Sequence, residues 1–234
     1  MKTSHGGAPR RARRLLAACC LAVLAGGALA QDMPSTNPCG ALQNAYGPYD
    51  YRTHRHMLKV VEEFHFSSTV ERLDRPTTGN FGDLDYTLRA SPNHHRALIS
   101  LARYGDRGNA AKMPPFMRSI DCYFDRAMRF AKDDPVVRMI YAGHLARTNR
   151  GTEALAHLDY VAQGAGDSPF THYNLGLLYL ELKRYDKALT QAHVAMQLGL
   201  PRTELRDALK KAGKWTDPQA AAPAEAASAA SPAP

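Results

Sequence analysis

The chain has no apolar run long enough for a membrane-spanning helix. Such a helix needs about 20 residues, and the longest apolar stretch, residues 15–30, falls short. No span is therefore expected in the body of the chain. Catalytic signatures are missing as well. There is no Gly-x-Ser-x-Gly, no phosphate-binding glycine loop, no His-Glu-x-x-His and no Cys-x-x-Cys. Asp83 and Asp85 form a carboxylate pair on paper, but residues two apart on a helix point in different directions. Cys122 lies on an expected helix with no base beside it, which makes it a poor nucleophile. These absences argue against an enzyme, and no cofactor is implied.

Charge of one sign is scarce once the N-terminus is set aside. The formal net charge is +8, but Lys2, Arg10, Arg11, Arg13 and Arg14 belong to a leading segment without acids. Removing them leaves 30 − 5 = 25 basic residues against 22 acidic ones, a net of +3. The remaining charges are interspersed, whereas a nucleic-acid binder gathers cations on one face. Cysteine is sparse too. Of four, Cys19 and Cys20 lie in the leading segment, and Cys39 and Cys122 permit one disulfide or remain two separate thiols. With 44% hydrophobic and 22% charged residues, the composition is that of a globular chain.

Residues 1–30 read as a signal peptide. Residues 2–14 are basic, 15–25 apolar, and Ala28-Leu29-Ala30 is a small-residue cleavage site, so the mature chain would begin at Gln31. That places it in the periplasm or outside the cell. A retained anchor is the alternative. Leu16-Ala17-Ala18-Cys19 resembles a lipobox, but almost no apolar stretch precedes it. At the other end, residues 216–234 are nearly all Ala, Pro, Ser and Gln, which cannot build a core and reads as disordered.

Between these ends the chain repeats. Pro135 and Pro169 open two similar stretches, offset by 169 − 135 = 34 residues. At that offset Leu145 meets Tyr179, Ala154 meets Ala188, and Val161 meets Ala195. Each copy has a helix-period apolar face interrupted by a short turn, so each reads as two helices. Leu175, Gly176, Tyr179, Ala188 and Ala195 form the best-defined set. Small residues at Gly176, Ala188 and Ala195 let helices approach, and Leu175 and Tyr179 fill the space between them.

This pattern resembles the tetratricopeptide repeat (TPR) family, whose period is 34 residues. Departures are Ala192, where a large aromatic is usual, and Pro201, one place late. The resemblance implies an all-α fold, a short solenoid of helical hairpins. Its array covers residues 91–215, with units at 95–134, 135–168 and 169–202 and a closing helix at 203–213. Thr203 would cap that helix and Gly213 would stop it. The first unit is longer than the repeat by a loop at 105–115 rich in Gly and Pro. Residues 31–90 lie outside the pattern and read as an irregular N-terminal arm. Within it, 57–66 has helical periodicity, 77–82 reads as a loop, and 83–90 reads as a helix. Residues 82–89 with Asn93-His94-His95-Arg96 resemble a group of exported proteobacterial TPR proteins, which implies export and a repeat fold but no particular activity.

The resemblance also implies a function, binding of a protein or peptide segment in a concave groove. The groove positions map to Arg96, Ile99 and Arg103, then to Val136, Met139 and Arg147, then to Phe170, Tyr173 and Leu177. Aromatic and Arg side chains suit apolar anchors and a carboxylate. The Lys and Asn set that clamps chain-terminal carboxylates in some TPR grooves is not matched, since only Asn174 agrees and Phe170 replaces a basic residue. A second reading places a metal or an accessory catalytic site in the His-rich N-terminal half, with His54, His56, His94 and His95 as candidates.

Overall fold

A computed structural model describes residues 37–218. The expected signal peptide, the cleavage site at Ala30, and tail residues 219–234 lie outside the described residues. The described chain is all-helical, with no strand. Among the described residues, no helix is long and apolar enough to cross a membrane.

From residue 37 the chain runs without regular structure to α1 (Arg55–His65), then α2 (Ser68–Arg72) and α3 (Thr78–Ala90). The N-terminal segment is therefore irregular only as far as residue 54. The expected loop at 77–82 is wrong, because Thr77 and Asn80 form a reciprocal capping box that starts α3 at Thr78. Gly79 and Gly82 suggested a loop, but the cap decides the start.

Helices α4 (His95–Tyr104) and α5 (Ile120–Phe130) follow, separated by a π-turn at Gly105–Asn109 and a 3-10 turn at Ala110–Lys112. Then come α6 (Pro135–Arg147), α7 (Gly151–Gln163), α8 (Pro169–Glu181), α9 (Tyr185–Gln197) and α10 (Glu204–Lys211). Helix α6 lies between α4 and α8, and each first helix pairs with the second helix after it. Helix α10 packs on α8 and α9. Thr203 makes no side-chain capping bond to α10, so that expectation fails, while Gly213 does end the helix with φ +66°.

The 34-residue period is present in the backbone. Helices α6 and α8 start 169 − 135 = 34 residues apart, and α7 and α9 start 185 − 151 = 34 apart. Asp134 and Ser168 cap the first helices through their side chains, each followed by a proline at the first helical position. Asn149 and Lys183 turn left-handed at the same place, and the next residues donate back six-to-one, Arg150 N to Leu145 O and Arg184 N to Tyr179 O, both at 2.8 Å. Ala142, Leu145, Ala154, Leu158 and Val161 are buried, as are their counterparts Gly176, Tyr179, Ala188, Ala192 and Ala195. A Cβ on Gly176 would meet Leu205 Cδ2 at 2.3 Å, so this glycine is what lets α10 seat against α8.

The N-terminal half is joined differently. Cys39 and Cys122 are bonded, with Cα atoms 4.9 Å apart across 83 residues. The bond ties the leading segment to α5. Beside it, Arg126 is buried and donates to the carbonyls of Cys39 and Ala41, and Arg129 Nη2 donates to Gly40 O at 3.0 Å. A second tie is the buried Asn93. It donates to Asp50 Oδ1 at 2.8 Å and Asp134 Oδ2 at 3.0 Å, and accepts from Tyr51 N at 3.0 Å. His95 Nε2 donates to the same Asp134 oxygen at 2.8 Å. One asparagine thus links the leading segment to the turns before α4 and before α6.

Candidate functional site

The first helices α4, α6 and α8 line a cavity of about 600 Å³. Its apolar lining comes from Ile99 of α4, Val136, Met139 and Ile140 of α6, and Leu177 and Leu178 of α8. The helix period puts these positions on one face. Gly143 keeps the space open, because a Cβ there would crowd Arg147 at 3.1 Å and Leu178 at 3.3 Å.

Polar groups rim this floor. Asp106, from the π-turn, accepts from His144 Nδ1 and from Arg147 Nε, both at 2.6 Å. Arg147 also reaches Glu181 at 3.3 Å. Burial pushes the Asp106 carboxyl up, but the bonds from His144 and Arg147 outweigh it and hold it below the ordinary value. Arg103 and Asn174 are exposed on the lining and make no side-chain hydrogen bond or ion pair among the described residues. His144 makes no hydrogen bond to a Ser, Thr or Cys side chain there. The arrangement suits binding more than bond-breaking: an apolar floor, one paired acid, one paired cation, and Arg103 and Asn174 open to a ligand.

The structure brings together Ile99, Arg103, Val136, Met139, Arg147 and Leu177. Three other expected groove residues lie elsewhere. Arg96 is held by Glu71 of α2 at 2.6 Å and sits over the Phe66 ring. Phe170 does not line the cavity and is 58% exposed. Tyr173 is buried, donates to Glu204 at 3.0 Å, and shares a small pocket with Ala195, Arg202 and Leu205. Tyr173 and Met139 are equivalent at the 34-residue offset. Met139 faces α8 across the cavity, but Tyr173 lies in the last hairpin, where α10 fills the corresponding space. Substituting Tyr173 would therefore disturb packing as well as any binding. Asp106, Ile140, Gly143 and Leu178 went unrecognised. Asp106 lies in the insertion beyond α4, where no periodicity points to it.

The expected packing residues Leu175, Gly176, Tyr179, Ala188 and Ala195 are all buried. The candidate metal ligands are dispersed. His54 Nδ1 bonds to Thr53, and His56 lies 6.3 Å from His54 ring to ring. His94 Nδ1 accepts from Ala97 N and caps α4, so its Nε2 carries the proton that goes to Glu62 at 3.0 Å. His95 is committed to Asp134. Among the described residues, no group of three or more His, Cys, Asp or Glu is placed to hold a metal ion. Asp83 and Asp85 diverge, the first to His65 and the second to Tyr123, Arg89 and Arg118.

Comparison with family models, with curated proteins and with solved structures finds no match.

Proposed function

We propose that this chain is an exported TPR-type binding module, not an enzyme, that holds a segment of a partner protein in the groove across α4, α6 and α8. The observation that carries this reading is the cavity itself, built from successive first helices with an apolar floor and two uncommitted polar groups, Arg103 and Asn174. The 34-residue spacing of α6 with α8 and of α7 with α9 supports the repeat assignment, with units at 95–134, 135–168 and 169–202. The Cys39–Cys122 bond supports an oxidising compartment, and the basic, apolar and Ala-x-Ala order of residues 2–30 supports export. The ligand is a peptide with apolar side chains for the floor and an acceptor for Arg103.

The test selects peptides on the purified exported chain from a displayed library and measures them against variants. Ile99→Asp and Leu177→Asp place charge on the floor without touching the hairpin contacts. Each should weaken the selected peptides by about tenfold or more, with an unchanged circular dichroism melt. Equal affinity for wild type and both variants would remove the groove from consideration.

A further inference from the structure

Away from the groove, α1 presents an apolar patch that the described chain leaves uncovered. Phe64 is 65% exposed and Val60 46%. Beside them is a cleft of about 210 Å³, lined by Tyr46, Val60, Val61, Phe64, His65 and Tyr86. Its walls are fixed. Tyr46 donates from its hydroxyl to Met57 O at 2.8 Å and meets the Tyr49 ring edge-on at 5.1 Å. His65 bonds through Nδ1 to Asp83 at 2.8 Å, and its ring lies 4.2 Å from Tyr86. A cavity of about 150 Å³ suffices for benzene, so the cleft admits a phenyl ring.

The charges around the patch have both signs. Lys59 and Glu63 are exposed on α1 at four-residue spacing, where a helix normally lets them pair. Neither makes a hydrogen bond or ion pair among the described residues. A surface for a basic or an acidic partner would carry one sign. A two-fold contact instead requires a surface complementary to itself. Here one helix face offers a protruding ring, a cleft for a ring, a cation and an anion.

We propose that this face pairs with the same face of a second copy of the chain, with α1 antiparallel to its counterpart about a two-fold axis. Phe64 of each copy enters the cleft of the other, and Lys59 of each meets Glu63 of the other. An axis level with residue 61 puts Lys59 opposite Glu63 twice. The groove on α4, α6 and α8 shares no lining residue with this cleft, so pairing and peptide binding are separable.

Sedimentation equilibrium of the purified exported chain decides the matter. The wild type should show a monomer–dimer equilibrium. Phe64→Asp should be monomeric at concentrations where the wild type is dimeric, with an unchanged melt because the side chain is exposed. Lys59→Glu and Glu63→Lys should each raise the dimer dissociation constant by about tenfold, since symmetry repeats the lost pair. The double variant K59E/E63K should return to the wild-type value, because both reversed pairs still match. A wild type that stays monomeric up to about 1 mM, a Phe64→Asp variant that dimerises like wild type, or a double variant no better than the singles would each overturn the proposal.

Discussion

Two halves of this molecule hold together by different means. From α6 to α10, stability comes from repetition. Buried Leu145, Leu158, Leu175 and Tyr179 pack against Ala154, Ala188 and Ala195, and every hairpin contacts its neighbour in sequence. From residue 37 to Asp134, distant segments are joined by a disulfide, a buried asparagine and arginines that reach backbone carbonyls. The first half is a sum of local apolar contacts, as in any stacked array. The second depends on a few polar or covalent ties across tens of residues. Apolar packing tolerates changes of pH and redox state, whereas a titrating or reducible tie does not.

The comparison can be broken most sharply from the apolar side. Leu175→Ala removes a fully buried side chain between helices and should cost about 2–5 kcal/mol. Urea unfolding with and without reductant should give the same loss. A loss that depends on reductant would mean that the two halves are not separable.

Cys39→Ser with Cys122→Ser should cost about 2–4 kcal/mol, near the upper end for a loop of this length. Hydrogen exchange should accelerate in α5 and in residues 37–54, and stay unchanged in α8 and α9. Equal acceleration throughout would contradict the division drawn here. Asn93→Ala comes next, at about 1–3 kcal/mol, because it leaves Tyr51 N, Asp50 and Asp134 each without one bond. The double-mutant cycle with Asp50→Ala should be strongly non-additive. Additive losses would mean that Asn93 is not the link.

The smallest effect per step is with pH. Burial, then the Arg96 charge, push His94 down to about 3, so it is neutral in the fold. The unfolded chain takes that proton near pH 6.5. The contribution is therefore whole above about pH 6.5 and declines as pH falls toward about 3, by at most about 1.4 kcal/mol per pH unit. Carboxylates act lower. Asp50 is held well below its usual range, first by Arg52, and Asp134 is held down by His95, Asn93 and Arg52 against its burial. Their contribution is present above about pH 4 and lost below it. Urea midpoints between about pH 7.5 and about pH 4.5 should fall with pH, and His94→Asn, which keeps a capping oxygen, should flatten the profile. A wild-type profile already flat there would show that His94 accepts its proton while folded.

The two halves also differ in how far they can be read in advance. The hairpins were legible because period and packing are the same fact: Ala188 and Ala195 are small where a helix must come close, and a 34-residue offset repeats the requirement. Most of the cavity lining followed from the same periodicity, as Ile99, Met139 and Leu177 show. Tyr173 did not follow, because its face is the right one but its hairpin is the last, and α10 covers it. Arg96 did not follow either, because Glu71 lies 25 residues away and no pattern links them.

The sequence by itself determined the all-helical class, the 34-residue spacing and the small residues that let helices meet. Each depends on neighbours three, four or seven places away, where helix geometry alone sets distance. Only the tertiary structure decided that Cys39 meets Cys122, that Asn93 joins Asp50 to Asp134, and that Asp106 reaches the cavity beside Arg147. Those contacts span tens of residues through irregular chain, whose path is set by the sum of packing everywhere else and by no local period.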